Sequence, residues 1–465
     1  MEAHAAAGVA PEGAAQDTRP AGLALVVDRI LEATCIALML VAVGVACLQV
    51  VLRYGFNSGL PWPEELATWV FAWAVFFGMA IATGRDAHIA IDVVTRVLPA
   101  GPRKWLALFN RAVMAAASIM LMVHGWDYVS RAISASPALQ WPMKYFFLAA
   151  PVGGALNLFF LVWPRPGRTL TDGIGILAGG ACLYLAIRYG ASSVYGESGS
   201  AIVLVFVGIV AIVIGVPVAF ALSFGAFAAF AAFNPILLVT IAQNMAASLN
   251  SFTLLAVPFF ILAAAVMNAG GITPRLVDLA MQLVGHLRGG LGQANVVTNT
   301  MLAGISGSST ADASTIAKLM VPEMAARGYS RPFSAALTAA SATIANLIPP
   351  SLGLIIYAAL ASVSVGALFV ATIVPGLMVA AALMTIVYVM SRRRGYGGDM
   401  PKASLRQRMA SLGFAIPALI LPVIIVGGVR FGAFTATEAG AMPLISSPLC
   451  RSPLFCNLAP SNPLA

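Results

Sequence analysis

Residues 201–233 have the sequence AIVLVFVGIVAIVIGVPVAFALSFGAFAAFAAF, which contains no charged side chain. As a single helix this stretch would be about 50 Å long, which exceeds the roughly 30 Å hydrocarbon core of a bilayer. The Gly-Val-Pro sequence at 215–217 would break such a helix, because proline lacks a backbone donor and clashes with the preceding turn. The stretch therefore predicts two shorter membrane helices rather than one span.

The rest of the chain has the same character. Its 465 residues are 60% hydrophobic and 9% charged, whereas soluble domains carry about 25% charged residues. Residues 198–274 and 332–391 contain no Asp, Glu, Lys, Arg or His, and neither run alternates as barrel strands do. The composition excludes a soluble protein and predicts an all-α polytopic membrane protein.

The charged residues predict the topology of the amino-terminal part. Apolar segments at 33–52, 65–83, 105–126 and 143–163 predict four spans, and a fifth follows at 171–187. Basic residues concentrate after the second and fourth spans, and such loops are cytoplasmic, so the N-terminus is expected in the cytoplasm. Topology thus accounts for the net charge of +9. We expect contact with membrane lipid and no nucleic-acid partner.

These patterns divide the chain into five segments. We predict a disordered N-terminus over 1–22, a four-helix membrane domain over 23–168, and a connector helix with its loop over 169–200. A second membrane domain is predicted over 201–442. Residues 443–465 contain five prolines, two cysteines and no helical period, and they predict a disordered tail.

The second membrane domain contains a polar insert, GGLGQANVVTNTMLAGISGSSTAD, at 289–312. If a helix follows it, Arg327 lies at the membrane surface and Asp312 near the middle of the bilayer. A carboxylate at that depth is costly and indicates function. Because irregular backbone at that depth must be buried or line a cavity, we predict a re-entrant hairpin. It descends through 290–303, reverses at Gly304–Ser309 and returns from Asp312.

The tip of this hairpin offers oxygen atoms to a hard cation such as Na⁺, and its returning helix directs a positive N-terminus at an anion. A different interpretation stays open. The serines would then only hydrogen-bond neighbouring helices, and Asp312 would be an N-cap. The candidate sodium- and substrate-binding residues here are Ser306, Ser308, Ser309 and Asp312.

A second break lies at ATIANLIPPSLG, residues 342–353, where the two prolines stop any helix. Two broken segments can face each other across a transport cavity. The predicted facing residues are Pro349, Pro350 and Ser351, and the possible cavity residues are Asn295, Asn299, Thr343 and Asn346. No Ser-His pair, H-E-x-x-H motif or pair of intramembrane aspartates accompanies them, so we do not expect an enzyme.

Several motifs carry a resemblance to a known family. In the second domain they are LLAVPFFILAAAVMNAGGI (254–272), GHLRGGLGQANVV (285–297), GISGSSTADASTIA (304–317), MAARGYS (324–330), IPPS (348–351) and FTATEAGA (434–441). In the first domain they are RYGF (53–56) and WPEELATWVFAWAVFFGMAIATGRDAHIAID (62–92). The chain resembles a fusion of the small (DctQ-like) and large (DctM-like) permease subunits of tripartite ATP-independent periplasmic (TRAP) transporters.

The resemblance implies a transporter of the bacterial inner membrane that imports organic acids, such as C4-dicarboxylates or sialic-acid-like carboxylates. It implies a Na⁺ gradient as the driving force, no other cofactor, a periplasmic binding protein that delivers the substrate, and an elevator mechanism. It assigns the first sodium site to Ser306, Ser308 and Asp312, with Ser351 and its IPP backbone facing them. Glu64 and Glu65 match the acidic motif of the small subunit, although an exposed helix start with a favourable dipole explains them equally well.

The resemblance also implies an incomplete permease. Large subunits of this family contain two inverted repeats, each with its own hairpin, and FTATEAGA belongs near their middle. The expected fold is therefore a four-helix bundle, a connector helix and the first half of an inverted-repeat, elevator-type transporter. We interpret the sequence after Met442 as foreign or out of frame. The alternative function is a truncated membrane scaffold or accessory protein that does not transport.

Overall fold

The structure, a computed structural model, describes residues 22–91, 93–164, 169–190, 200–233, 237–397, 401–435 and 437–440. Every regular element among these residues is a helix. The predicted all-α membrane fold is thus confirmed, whereas the inverted repeat and the elevator mechanism stay predictions. The segments 1–21 and 443–465, for which we predicted disorder, lie outside the described residues.

Contacts divide the chain into two compact units. One comprises Met1–Ala42 and Thr68–Asn250, and the other comprises Val43–Ala67 and Ser251–Ala465. The first helix, α1 (Leu23–Gly55), therefore contributes to both units, and so does the next helix, whose residues Trp62–Ala67 belong to the second unit. The predicted domain borders remain a sequence-based prediction.

The remaining helices of the first unit follow the apolar segments of the sequence. They are α2 (Trp62–Gly84), α3 (Val93–Val97), α4 (Ala100–Arg131), α5 (Lys144–Phe147), α6 (Ala149–Val162), α7 (Leu170–Gly190), α8 (Ser200–Val213), α9 (Val218–Phe233) and α10 (Leu238–Leu249). The expected break in the opening stretch lies between α8 and α9, where Gly215 has a φ of +94°.

The second unit contains shorter helices around a buried core. They are α11 (Ala256–Ala269), α12 (Ile272–Val284), α13 (Gly290–Ser306), α14 (Ser309–Ala326), α15 (Arg331–Ala342), a 3₁₀ turn (Thr343–Asn346), α16 (Leu352–Ala361), α17 (Val365–Arg394) and α18 (Leu405–Arg430). Helix α13 is enclosed by its neighbours, since nearly all of its side chains are buried. The α13 part of the polar insert therefore lies inside the unit, whereas Thr310 and Ala311 at the start of α14 are exposed.

Six helical stretches among the described residues are long and apolar enough to cross a membrane. They are Leu23–Gly55, Trp62–Gly84, Gly101–Arg131, Lys144–Val162, Leu170–Tyr189 and Val365–Arg394. A seventh would be the pair Ala256–Asn268 and Ile272–Val284, which bends by 72° at its break. The chain is a multi-pass membrane protein.

Candidate functional site

Helices α13 and α14 form an antiparallel hairpin. Near its open end, Asn295 Nδ2 lies 3.7 Å from Met324 Sδ, and at its closed end Ser306 contacts Asp312. Contacts at both ends require the two helices to run side by side in opposite directions. The helical hairpin predicted from the sequence is present, and its depth in the membrane stays a prediction.

The reversal is tighter than the sequence suggested. Helix α13 continues to Ser306, and α14 already begins at Ser309, so the predicted bounds of 290–303 for the descent and Asp312 for the return were wrong. Two residues suffice because Gly307 adopts a left-handed φ of +59°, as glycine does after a helix, and Ser308 starts the next helix. Gly304 serves close packing, since a Cβ there would lie 2.8 Å from Pro422 Cγ of α18.

Asp312 is not the N-cap of α14. Ser308 holds that position, with its side chain accepting a hydrogen bond from the Ala311 amide at 3.5 Å. Asp312 lies in the first turn of the helix instead. The open interpretation of Asp312 as a cap is therefore wrong, and its carboxylate is available for another interaction.

The carboxylate of Asp312 is buried and only half satisfied. Its side chain is 1% exposed, and its Oδ1 accepts a 2.5 Å hydrogen bond from Ser306 Oγ. Ser306 Oγ also accepts from the Ser308 amide at 3.2 Å. The second carboxylate oxygen, Oδ2, is buried and has no hydrogen-bond partner. Since an unpaired buried charge is costly, this oxygen is a candidate ligand position.

The proline break lies against the tip of the hairpin. The Leu352 amide, at the start of α16, donates a 3.2 Å hydrogen bond to the Gly307 carbonyl. Ser351 is fully buried, caps α16 and donates to the Asn346 carbonyl at 3.1 Å. The structure thus brings Pro349, Pro350 and Ser351 to the hairpin tip, and the N-termini of α14 and α16 lie beside the two connecting segments.

The four residues proposed for a cavity fall into two groups. Asn295 and Asn299 are fully buried between α13 and α15. The Asn295 amide donates to Thr338 Oγ1 at 2.7 Å, and the Asn299 amide donates to Ser341 Oγ at 2.8 Å. Thr343 and Asn346 instead have exposed side chains in the 3₁₀ turn.

Asn295, Asn299, Thr338 and Ser341 form a buried polar seam between α13 and α15. The sequence analysis did not select Thr338 and Ser341. With Ser334 they form a stripe at positions i, i+4 and i+7 of α15, which is the spacing of one helix face. Three hydroxyl side chains on one face of a helix in an uncharged run would have been the signal. The Asn299 Oδ1 atom remains buried without a partner.

The side chains and backbone at the tip offer oxygen atoms that could hold a hard cation. No group of three or more His, Cys, Asp or Glu side chains clusters anywhere in the described parts of the chain. The tip instead offers one carboxylate, serine hydroxyls and the carbonyls of two helix breaks. Such neutral oxygens around one acid are what broken helices present to Na⁺ in secondary transporters.

The acidic pair of the amino-terminal part lies elsewhere. Glu64 and Glu65 occupy the first turn of α2, which favours negative charge. Glu64 Oε1 accepts a 2.5 Å hydrogen bond from Gln49 Nε2 of α1. This contact gives Glu64 a partner within its own unit.

Comparison with known protein families gives two matches along the chain. Residues 42–165 match the DctQ component of the tripartite ATP-independent periplasmic transporters. Residues 204–449 match the DctM component of the same transporters. The two components follow each other in one polypeptide, in the order that the motifs indicated.

Individual relatives lead to the same family as these two matches. The chain is 31% identical over 421 residues to the sialic acid TRAP transporter permease protein SiaT of Haemophilus influenzae, an alignment that covers 85% of this chain and 67% of the relative. It is 33% identical over 388 residues to the isethionate TRAP transporter permease protein DctMQ of Oleidesulfovibrio alaskensis, covering 82% of this chain and 60% of that protein.

A third relative matches a shorter part. The sialic acid TRAP transporter large permease protein SiaM of Vibrio cholerae is 43% identical over 228 residues, which is 49% of this chain and 53% of the relative. The chain thus spans between about half and two thirds of the length of these relatives. Matches to both components and to relatives that combine them show that the chain belongs to the TRAP transporter permease family, with DctQ and DctM components fused.

Proposed function

We propose that this chain is the membrane permease component of a Na⁺-coupled secondary transporter that imports organic acids across the bacterial inner membrane. The names of its relatives support an anionic substrate, since they include permeases for sialic acid, isethionate and C4-dicarboxylates. All of these are small organic anions with a carboxylate or sulfonate group. Carboxylates of the C4-dicarboxylate or sialic acid class are therefore the first substrates to test.

The observation that supports Na⁺ coupling most strongly is the buried, unpaired Oδ2 of Asp312. A negative charge in a low-dielectric site is stabilised by a cation, which Ser306 and Ser308 would help to coordinate through their hydroxyl groups. Na⁺ is a co-substrate in this proposal, and it would enter and leave with each transport cycle. Asp312, Ser306 and Ser308 would bind the ion, and Ser309, Pro349, Pro350 and Ser351 would contribute to the surrounding site.

The substrate anion would bind at the positively polarised N-termini of α14 and α16. Helices α14 and α16 begin beside each other's connecting segments, because the Leu352 amide bonds to the Gly307 carbonyl. A helix N-terminus carries a partial positive charge and free backbone amides, which favour a carboxylate. Binding of Na⁺ at Asp312 would further favour the anion, so that neither ligand binds well alone.

The transport step itself would use the hairpin as a moving body. The seam of Asn295, Asn299, Thr338 and Ser341 ties α13 to α15, so the hairpin and α15 would move together in an elevator mechanism. A periplasmic binding protein would deliver the substrate, and the N-terminus would lie in the cytoplasm. Membership of the TRAP family supports the proposed mechanism and delivery.

The experiment is uptake into proteoliposomes that contain the purified full chain. Labelled sialic acid and succinate are supplied with a binding protein of the same transporter, with and without an inward Na⁺ gradient. We expect uptake that requires Na⁺ and is lost in Asp312→Ala. The matched control is Asp127→Ala, because Asp127 is a partly exposed acid whose ion pair with Arg131 lies on the surface of α4.

Two outcomes would decide against the proposal. Uptake that is independent of Na⁺, or that survives Asp312→Ala at the level of Asp127→Ala, would refute the sodium assignment. A correctly folded chain that imports no organic anion under any of these conditions would favour the alternative, a membrane scaffold without transport activity.

A further inference from the structure

One face of α1 contacts the segment that follows α18, and the proposed transport function does not account for this contact. Ala46, Gln49, Val50 and Arg53 lie at positions i, i+3, i+4 and i+7, which places them on one side of the helix. The first three are between 5% and 7% exposed. Leu48 and Val51, which lie off this stripe, are 44% and 51% exposed. The helix therefore has a distinct packed face.

The packed face of α1 meets a buried acid. Glu438, whose side chain is 5% exposed, forms a 3.2 Å ion pair with Arg53 Nη1. Tyr54 Oη donates a 2.8 Å hydrogen bond to the Ala433 carbonyl and lies 3.3 Å from Glu438 Oε2. Arg53 and Tyr54 belong to the RYGF motif, and Glu438 belongs to the FTATEAGA motif. Arg53 and Glu438 are 385 residues apart in the chain, and their contact brings the two sequence motifs together at one carboxylate.

Glu438 is also held by hydrogen bonds to Thr435, three residues before it. Its Oε2 accepts hydrogen bonds from the Thr435 amide at 2.7 Å and from Thr435 Oγ1 at 3.0 Å, and its amide donates to Thr435 Oγ1 at 3.3 Å. This reciprocal arrangement is a capping box. Thr437 Oγ1 donates to the Phe252 carbonyl at 2.7 Å, which ties the same segment to the residues before α11. The carboxylate is therefore held in one position and presented to α1.

The residues of this contact come from the parts of the chain that match two different components. Arg53 and Tyr54 lie in the part of the chain that matches DctQ (42–165), and Glu438 lies in the part that matches DctM (204–449). All three nevertheless belong to one compact unit. We propose that this face of α1 is the docking surface by which the DctQ-matching segment is fixed to the DctM-matching segment, with Glu438 as its positioning residue.

The side chains of this contact indicate a specific polar docking contact, here called the joint, and not general apolar packing. Helix–helix contacts in membranes lack a hydrophobic driving force and depend on close packing and on polar groups. Ala46 permits close approach, and Arg53 supplies the charge that a buried carboxylate requires. Without Arg53, Glu438 would keep only its capping interactions and the Tyr54 hydroxyl. The joint is independent of transport, since none of its residues belongs to the hairpin tip.

Hydrogen exchange of the full chain in detergent, followed by mass spectrometry, tests this joint. Peptides over 43–56 report on α1, and peptides over 433–440 report on the Glu438 segment. We expect Arg53→Met and Glu438→Gln each to accelerate exchange at 43–56 by roughly threefold to tenfold, as loss of a partly exposed charge-assisted bond implies. Glutamine can retain the capping box, so Glu438→Gln removes chiefly the charge.

The matched variants separate docking from local stability. Thr435→Ala weakens the capping box but keeps the charge of Glu438 and its pair with Arg53, so it should accelerate exchange at 433–440 and change 43–56 less than Glu438→Gln does. Arg53→Lys should retain most of the protection, and the double variant Arg53→Met/Glu438→Gln should exchange no faster than either single variant. The proposal would be overturned by unchanged exchange at 43–56 in Glu438→Gln, by additive effects in the double variant, or by an equal effect of Thr435→Ala. If either single variant unfolds throughout, retained protection in Arg53→Lys supports the joint and lost protection refutes it.

Discussion

Asp28 and Asp312 are two buried carboxylates with different surroundings. Each is 1% exposed and each lies in a helix. In the first unit, Asp28 accepts hydrogen bonds from Arg85 Nη2 at 2.8 Å and from Arg85 Nε at 3.3 Å, so both of its oxygens are paired. In the second unit, Asp312 accepts one bond from Ser306, and its other oxygen has no partner.

The difference separates a structural acid from a candidate binding acid. A guanidinium group neutralises Asp28 through two parallel bonds, which is the strongest side-chain arrangement for a carboxylate. Asp312 has no such group, and its second oxygen meets no hydrogen-bond donor among the described residues. Intramembrane acids without a partner are by default functional. The comparison therefore predicts that substitution at Asp312 affects transport, whereas substitution at Asp28 affects stability.

The largest expected effect is that of Asp312→Asn on Na⁺-dependent uptake. We expect uptake to fall about 100-fold, because the loss of a buried charge that contacts a cation costs about 3 kcal/mol. The thermal midpoint without Na⁺ should stay equal or rise, since the substitution removes an unpaired buried charge. Uptake assays and thermal unfolding of the same preparation check this. Retained uptake together with a strongly lowered midpoint would place Asp312 in the same class as Asp28.

The second prediction concerns the contact between the hairpin tip and the proline break. Gly307 and Gly328 both have a positive φ, +59° and +86°. An added Cβ at Gly307 would collide with the Pro350 carbonyl, whereas at Gly328 it would meet nothing within 4 Å. Both Gly→Ala variants carry a backbone strain of about 1 kcal/mol, but only Gly307→Ala displaces the break.

We therefore expect Gly307→Ala to lower uptake about tenfold relative to Gly328→Ala, because a small displacement at a binding site has a large effect on rate. Initial rates of Na⁺-dependent uptake per folded molecule provide the measurement. Equal rates in the two variants would mean that the contact with Pro350 contributes nothing to the site.

Much of the fold could be predicted from the sequence, because the bilayer imposes simple rules. Long uncharged runs predicted helices, proline and glycine predicted the breaks, and a lone acid in an uncharged insert predicted the hairpin. The exact start of α14 could not be predicted, since Ser308 and Asp312 are both good N-cap residues and only packing distinguishes them. The two-residue reversal could not be predicted either, because either Gly304 or Gly307 could have adopted the left-handed conformation at the turn.

Side-chain partners were the least predictable part of the site. Asn295 and Asn299 find theirs 43 and 42 residues further along the chain, and no local pattern gives such a distance. The same holds for Asp28 and Arg85, which are 57 residues apart. Sequence reasoning identified polar residues in an apolar environment, but it could not tell which were already satisfied by a neighbour. That distinction separates the buried seam, whose amides have partners, from the unpaired oxygen of Asp312.

The third prediction tests the structural acid. Asp28→Asn should lower the free energy of unfolding by about 2 kcal/mol, because Arg85 is left with a weakened partner in a partly buried position. The control is Glu32→Gln. Glu32 also accepts a bond from Arg85, but its side chain is 46% exposed, so we expect a change below about 0.5 kcal/mol.

Denaturant titration in detergent micelles measures both variants, and uptake per folded molecule should stay unchanged in each. A loss of Na⁺ dependence in Asp28→Asn would contradict the division between the two acids. Equal destabilisation by the two substitutions would show that burial of Asp28 does not determine its contribution.

The smallest expected effect concerns the neutral polar seam. It lies in the same unit as Asp312, but its side-chain amides have hydrogen-bond partners within the chain, as Asp28 does. Ser341→Ala removes the acceptor of the 2.8 Å bond from Asn299 and leaves that buried amide without this partner. We expect a loss of about 1 kcal/mol in the free energy of unfolding. Ser314→Ala is the matched control, because Ser314 is exposed and bonds only to the Ala311 carbonyl of its own helix. A loss in Ser341→Ala that equals the control would mean that water or a ligand replaces the hydroxyl. The seam would then be accessible, and Asn295 and Asn299 would return to the candidate cavity.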